Sequence, residues 1–250
     1  VNAGSDEVYR AGTKLTETTI TLYGEYDGKY GTLYTAEGEE VELASLNLTR
    51  EGHTFAGWYD EAIAADGDVT DKTEITSSTA YNETGSKTIY AYWTINTYTF
   101  TVKYVYSDGG EASATVVETV KFRASVSVAS PAISGYRADK TTVSMASMPA
   151  ENKEDTVTYT ANVYNATFDV DGGSAVSDGT YTIEAALNLP ATTKIGYTFG
   201  GWEVESVTEG NWTVGNVYTE APANMYGHVS FKAVWNAGTT TGYKVVVMLE

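Results

Sequence analysis

The chain has 250 residues, no cysteine and a formal net charge of −18, from 15 basic and 33 acidic side chains. The absence of cysteine excludes disulfides, thiol catalysis and cysteine-based zinc sites, and so acidic a chain does not attract nucleic-acid phosphates or an anionic membrane surface. Abundant Thr, Tyr, Val and Gly with only 4 prolines predict a protein built mainly from strands and turns.

Residues 1–19 are expected to be a linker or the remnant of a preceding repeat. The opening "VNAGSDEVYR" lacks the basic and apolar parts of a signal peptide, and no run of about 18 apolar residues predicts a membrane span. We therefore expect a segment of a longer protein, without direct insertion into a membrane, whose targeting signals lie outside it.

Residues 20–94 form a first unit with recognisable landmarks. The block "HTFAGW" ends at Trp58, and the closing strand "KTIYAYW" ends at Trp93. Between the opening strands and these blocks, "EEVELASLNL" at residues 39–48 has the character of a short helix. The unit is predicted to be a small sheet with at most one short helix.

An acidic loop, "YDEAIAADGDVTDKTE", separates the two tryptophan landmarks of this unit. Asp66, Asp68 and Asp71 could hold calcium, because hard cations bind several oxygens on a flexible loop. Their spacing departs from the EF-hand pattern, so a solvated loop is the favoured interpretation.

Residues 95–164 form a second, divergent unit. Its first strand, "YTFTVKYVY", alternates apolar and polar residues with a period of two, and "SDGG" follows as a turn. The "FxGW" block is missing, and the position of the closing tryptophan falls near Asn162. Lys103 on the first strand and Asn162 on the last are candidates for an isopeptide bond if these strands are neighbours.

Residues 165–237 repeat the first unit. A shift of 144 residues places Trp58 on Trp202 without a gap, and "YTFGGW" on "HTFAGW". The segment "IEAALNLP", residues 183–190, is the second helix-like stretch. Residues 238–250 are expected to be a linker followed by the first strand of a further repeat.

The aromatic residues of the third unit offer one candidate binding surface. Trp212 has no counterpart in the first unit and follows Gly210-Asn211 in the variable loop, where an exposed side chain is free to contact a ligand. Tyr218 lies in the same loop. The other tyrosines recur at alternating strand positions, where packing across the sheet already accounts for them.

Nothing in the sequence predicts an enzyme. The chain contains 2 histidines, of which His53 aligns with Tyr197 and is therefore interpreted as a packing residue. Nucleophile-elbow, zinc-protease, phosphate-loop and dinucleotide-binding motifs are absent. We expect no catalytic residue and no cofactor.

Together, "YDGKYG…HTFAGWY…TIYAYW" and "ATFDVDGG…YTFGGWE…VSFKAVW" resemble the Listeria-Bacteroides repeat, also called the internalin B-type repeat, of bacterial surface proteins. The middle unit is similar to a mucin-binding-protein type repeat, on "YTFTVKYVYSDGG" and "SGYRA". The resemblance implies a β-rich α+β fold of tandem small β-grasp modules, similar to ubiquitin and arranged end to end. It also implies export to the cell surface or cell wall, usually of a Gram-positive bacterium. The residues expected in the cores of the modules are Phe55, Gly57, Trp58, Trp93, Phe199, Gly201, Trp202 and Trp235.

Two functions follow as expectations. The first is a non-enzymatic, monomeric spacer or stalk that presents an adhesive domain. The alternative is a binding module whose exposed aromatic residues contact a host glycoprotein or a polysaccharide.

Overall fold

The computed structural model describes the backbone of residues 2–3, 6–10, 18–26, 29–35, 49–75, 87–238 and 247–248, and the side chains of 49–75, 89–238 and 247–248. Throughout these residues the regular secondary structure is strand, and none of them lies in a helix. The protein is therefore β-rich, as its composition predicts.

The described strands are, in chain order, β1 (Asn2–Ala3), β2 (Asp6–Arg10), β3 (Thr18–Tyr26), β4 (Lys29–Thr35), β5 (His53–Tyr59), β6 (Glu74–Ile75), β7 (Lys87–Ile95), β8 (Thr97–Tyr106), β9 (Glu111–Lys121), β10 (Val126–Ala129), β11 (Tyr136–Ala138), β12 (Thr142–Met145), β13 (Lys153–Ala161), β14 (Tyr164–Asp169), β15 (Gly179–Tyr181), β16 (Tyr197–Thr208), β17 (Val217–Tyr218) and β18 (His228–Ala237).

The three units found in the sequence are called repeats from here on, because the folded chain divides differently, into two compact units. The first comprises Val1–Val102, Val116–Val128 and Ser144–Asp155, and the second comprises Lys103–Thr115, Ala129–Val143 and Thr156–Glu250. The residues of the middle repeat are thus divided between the units, whereas the first repeat lies wholly in one and the third repeat wholly in the other.

The first unit contains a seven-stranded sheet in the order β1-β2-β4-β3-β7-β5-β6. The first strand of the repeat, β3, is parallel to the last, β7, and β5 is antiparallel to β7. Strand β2 pairs in parallel with β4. Residues 1–19, expected to be a linker or a remnant, therefore include strands that extend this sheet.

The second unit contains a five-stranded sheet in the order β15-β14-β18-β16-β17. Its first strand, β14, is parallel to its last, β18, and β16 is antiparallel to β18. This is the order of β4-β3-β7-β5-β6 in the first unit. Two smaller sheets, β11-β13-β8-β9 and β10-β12, are formed by the strands of the middle repeat.

The register of the central antiparallel pair is the same in all three repeats. Phe55 lies opposite Trp93, Phe199 lies opposite Trp235, and Ala138 lies opposite Tyr159. The middle repeat therefore carries Tyr159, 1% exposed, at the position of the closing tryptophan. The position predicted from the sequence, near Asn162, lies three residues too far along the chain. The missing "FxGW" block left no landmark for the alignment.

The two helix-like stretches have different outcomes. Residues 39–48 lie outside the described part of the chain. Residues 183–190 are not helical, so a helix there is a wrong prediction. The backbone amides and carbonyls of Thr182 and Ala185 bond to each other, and Leu187 is buried against the sheet. A stretch this short cannot stabilise a helix without tertiary packing. Here the packing holds residues 183–190 in an irregular conformation.

The predicted core positions lie where the "TFxGW" block meets the last strand. Trp58, Trp93 and Trp202 are 4%, 3% and 0% exposed, whereas Phe55, Phe199 and Trp235 are partly buried. Each block carries a register shift just before the glycine that precedes its tryptophan. At these shifts Gly57 and Gly201 adopt φ of 138° and 122°, a conformation that residues with a Cβ rarely adopt.

Candidate functional site

Trp212 lies in the core, and its predicted exposure is wrong. The side chain is 5% exposed and packs edge-on against Phe231 and Tyr218, with ring centroids 5.2 and 5.3 Å away. Its Nε1 donates to the Tyr181 hydroxyl at 2.6 Å, and that hydroxyl donates to the carbonyl of Gly227. Burial raises the pKa of the Tyr181 hydroxyl, which therefore stays protonated as a donor.

The loop around Trp212 is closed by close backbone contacts, and this is why its tryptophan is buried. A Cβ on Gly210 would overlap the carbonyl of Tyr226. The Asn211 side chain donates to the carbonyl of Asn224 at 3.1 Å and accepts from the amide of Tyr226 at 3.0 Å. Tyr218, the second predicted binding residue, is half-buried on β17 as a cover over Trp212.

Asp66, Asp68 and Asp71 do not form a metal site. No group of three or more His, Asp or Glu side chains is suitably placed among the described residues. Asp68 instead accepts from the amide and hydroxyl of Thr70 at 2.9 and 2.6 Å. These short-range bonds shape the loop, which is interpreted as a solvated loop rather than as a calcium site.

The remaining candidates lie on the middle repeat and at the histidines. Lys103 is exposed on β8, and the side-chain amide of Asn162 donates to the Tyr164 hydroxyl at 3.2 Å. His228 accepts from the amide of Asn165 at 3.1 Å. Both Asn162 and His228 thus take part in structural bonds.

The joint between the first and middle repeats is a packed contact within the first unit. The turn at Gly52 precedes β5, and Gly52 adopts φ of 66°. Its carbonyl accepts from the amide of Asn96, the single residue between β7 and β8, at 2.9 Å. Asn96 in turn accepts from the amide of Phe122 at 2.9 Å. We call this arrangement the first joint.

Phe122 of the middle repeat covers the turn glycine of the first repeat. The ring lies so close to Gly52 that a Cβ at that position would overlap it, and Phe122 itself is 8% exposed. His53 meets the same ring edge-on at 5.7 Å. An apolar side chain is thereby removed from water at the contact between the two repeats.

Asp66 ties the acidic loop to this joint. One carboxylate oxygen accepts from the amide of Ile95 at 2.7 Å, and the other pairs with Nζ of Lys121 at 2.5 Å. The hydrogen bond from Lys121 holds the pKa of the Asp66 carboxyl below its ordinary value, and the bond from Ile95 adds to the effect. The loop aspartate thus bridges the end of the first repeat and a strand of the middle repeat.

The joint between the middle and third repeats follows the same plan within the second unit. The amide of Asn162 donates to the carbonyl of Gly135 at 2.9 Å, and Gly135 adopts φ of 82°. A Cβ on Gly135 would lie 2.6 Å from Cδ1 of Ile183 in the third repeat. The residue after the glycine, Tyr136, hydrogen-bonds to Glu184. We call this arrangement the second joint.

Sequence reasoning identified the turn glycines but missed the residues that cover them. The turns are detectable because glycine followed by His or Tyr recurs in the sequence, at Gly52, Gly135 and Gly196. Phe122 and Ile183 share no local motif. They are equivalent only in topology, since each follows the second strand of its repeat.

Comparisons with known proteins agree with the repeats seen in the structure. The model of the Listeria-Bacteroides repeat domain matches residues 19–92 and 164–228, together more than half of the chain. The model of the Muc B2-like domain matches residues 124–163 in the middle repeat. The resemblance stated from the sequence is confirmed for both kinds of repeat.

Individual relatives are more distant. A protein of Evansella cellulosilytica with the provisional name of membrane protein is 26% identical over 191 residues, which is 69% of this chain and 26% of that protein. The chain spans about a quarter of the length of the curated relatives it matches. Among the residues the structure describes, no helix is long and apolar enough to cross a membrane.

Two solved structures are similar over parts of the chain. A MucBP domain from Lactobacillus acidophilus is 27% identical and covers 27% of this chain and 92% of its own, with a TM-score of 0.23. The type 2 repeat of the mucus binding protein MUB from Lactobacillus reuteri is 16% identical and covers 58% of this chain and 98% of its own, with a TM-score of 0.23.

Proposed function

The chain belongs to the Listeria-Bacteroides repeat family, and from that premise we propose that it is a non-enzymatic spacer segment of a bacterial surface protein. Its task is to hold other domains away from the cell and to support adhesion. The observation that carries the proposal is the recurrence of one joint design between successive repeats. A spacer needs such joints, because free linkers would let its repeats collapse onto each other.

The design of the joints favours fixed contacts over flexible tethers. Only Asn96 separates β7 from β8, and only Asn162 and Val163 separate β13 from β14. At both junctions the asparagine amide bonds to a turn carbonyl and an apolar side chain covers the turn glycine. Linkers this short and this well bonded limit the angles available to neighbouring repeats.

We further propose a β-grasp-like module as the repeating element. The strand order supports it, because the first and last strands of the first and third repeats are parallel neighbours. The boundaries 20–94, 95–164 and 165–237 remain the proposed modules. We place the segment outside the cell, on the surface or wall of a Gram-positive bacterium, where a charge of −18 keeps an exposed chain soluble.

A second candidate is binding to a host glycoprotein or polysaccharide. It is favoured by one side chain, Tyr197, which is 47% exposed at the start of β16. The tryptophans offer little support for this function, since Trp58, Trp93, Trp202 and Trp212 are each at most 5% exposed. A tryptophan platform for sugar rings is therefore not part of the proposal.

The spacer proposal is tested by measuring the rigidity of the first joint. The natural chain has no cysteine, so Ala62→Cys and Thr119→Cys, both at exposed positions, allow two spin labels to be attached across the joint. We expect a narrow distribution of label distances. The added substitution Phe122→Ala should broaden the distribution, because it uncovers Gly52.

The matched control is Val117→Ala, which shortens a 56% exposed apolar side chain on β9, the strand that also carries Lys121. It should leave the distribution narrow. Circular dichroism confirms that each variant is folded. A distribution that is already broad in the unaltered joint would overturn the spacer proposal.

A further inference from the structure

The third repeat carries the same joint turn as the first two. Gly196 adopts φ of 81°, and its carbonyl accepts from the amide of Gly238 at 2.9 Å. Gly238 stands three residues after Trp235, as Asn96 stands three residues after Trp93. The bond that positions the linker at the first two joints is therefore present a third time.

What differs is the exposure of the turn. Gly52 and Gly135 are buried, whereas Gly196 is partly exposed. At the first joint His53 contacts Phe122, and at the second joint Tyr136 contacts Glu184. The residue in the same position of the third turn, Tyr197, is 47% exposed.

Ile195 makes the third turn more apolar than the other two. It is 99% exposed, while the corresponding residues are Glu51 and Ser134. A single exposed apolar residue is ordinary in a soluble protein. Here, however, Ile195 and Tyr197 flank a glycine whose two counterparts are covered by the next repeat.

The third turn is also held in shape by contacts within its own repeat. Nζ of Lys194 donates to the carbonyl of Asp171 at 2.6 Å and lies over the rings of Tyr197 and Trp235, 4.9 and 5.6 Å from their centroids. The amide of Tyr197 donates to the carbonyl of Lys194 at 3.1 Å. A surface fixed in this way loses little conformational entropy when a partner binds.

We propose that the turn Lys194–Tyr197 is a docking surface for a further repeat following in the same polypeptide, which places one apolar side chain on Gly196. The inference rests on the proposed spacer function and names the partner of its open joint. The partner's contact residue is aromatic or a large aliphatic, in the topological position of Phe122 and Ile183. Ile195 and Tyr197 form the apolar rim around that side chain.

The test extends the full chain with its own repeats. Residues 1–237 are followed directly by a second copy of residues 96–250, so that Asn96 of the added copy takes the place of Gly238 and its Phe122 faces Gly196. Val214→Ile in the added copy, at a position 61% exposed, gives a mass tag to the tryptic peptide that contains its own third turn. Hydroxyl-radical footprinting then reports the exposure of Ile195 and Tyr197 in both copies.

We expect a several-fold lower modification of Ile195 and Tyr197 in the internal copy than in the tagged terminal copy, which serves as the uncovered control. Phe122→Ala in the added copy should restore the modification, and Phe122→Ala in the original copy should not. Equal modification of the two copies would overturn the inference. So would protection in the unextended chain that grows with protein concentration or on addition of a mucin glycoprotein.

The spin-label experiment separates this inference from the function beneath it. A narrow label distribution at the first joint, combined with equal footprints at both third turns, refutes the docking surface and leaves the spacer function standing. A broad distribution at the first joint refutes the spacer function itself.

Discussion

Replacing Trp212 by alanine should unfold the third repeat or bring it close to unfolding. The indole is 5% exposed and packs between Tyr181, Tyr218 and Phe231. Truncation of a buried tryptophan to alanine typically costs about 3 to 5 kcal/mol. Loss of the hydrogen bond to Tyr181, 2.6 Å long, adds about 1 kcal/mol because a buried hydroxyl loses its donor.

The available stability is of the same size as this loss. A module of about 70 residues has roughly 4 to 10 kcal/mol of unfolding free energy, at about 0.05 to 0.15 kcal/mol per residue. The change is confined to residues packed around one loop, so we expect the first repeat to keep its stability. Amide exchange followed by mass spectrometry can resolve the two, because protection should fall in β14, β16 and β18 but not in β5 and β7.

Two milder variants separate packing from hydrogen bonding. Trp212→Phe keeps most of the apolar volume and should cost less than alanine, whereas Tyr181→Phe removes the hydroxyl that links Trp212 to Gly227 and should cost about 1 to 3 kcal/mol. If Trp212→Ala lowers the stability of the third repeat by less than about 1 kcal/mol, the side chain is not part of the core, and the structural account of this loop is wrong.

Two further predictions concern the joints. Gly135→Ala should lower the thermal stability more than Gly109→Ala. Both glycines have positive φ, 82° and 90°, but only a Cβ at Gly135 would clash with the covering side chain of Ile183, at 2.6 Å. Equal losses would contradict the contact between Gly135 and Ile183 at the second joint. The Asp66 carboxyl, with a pKa below its ordinary 3.8, should stabilise the first joint fully above that pH and lose this contribution as the pH falls through its lower folded value. Asp66→Asn should therefore reduce the acid sensitivity of amide protection at the first joint. An unchanged pH profile would show that the ion pair between Asp66 and Lys121 is not the source of that acid sensitivity.

The sequence was most informative where one residue type must meet one local requirement. The turn before β5, β11 and β16 needs positive φ, and glycine occupies it at Gly52, Gly135 and Gly196. The doubled block placed Trp58 and Trp202 at equivalent positions, which the common strand register reproduces. Local geometry and an internal repeat are both legible in a single sequence.

Contacts between distant segments were not predictable in this way. Phe122 is an unremarkable apolar residue until the chain brings it onto a glycine 70 residues earlier. Asp66 looked like a calcium ligand because its neighbours are acidic, but its partners are the amide of Ile95 and Nζ of Lys121. The lack of a counterpart in the first repeat predicts an exposed Trp212, yet an inserted loop can bring its own core residue when its backbone closes tightly.

The two tryptophans of the repeated block give a last prediction, because they differ in one hydrogen bond. Nε1 of Trp202 donates to the carbonyl of Pro190 at 2.8 Å, whereas Nε1 of Trp58 has no hydrogen-bond partner among the described residues. Phenylalanine removes a similar apolar volume at both sites, but at Trp202 it also leaves the partly buried carbonyl of Pro190 without its donor, and a hydrogen bond of this kind contributes about 0.5 to 1.5 kcal/mol. Trp202→Phe should therefore destabilise the third repeat by about 0.5 to 1.5 kcal/mol more than Trp58→Phe destabilises the first. Denaturant unfolding, with each repeat followed by its own amide protection, measures both losses in one experiment. Equal losses would show that the Trp58 indole donates to a partner of its own, and that the two blocks are alike in hydrogen bonding as well as in sequence.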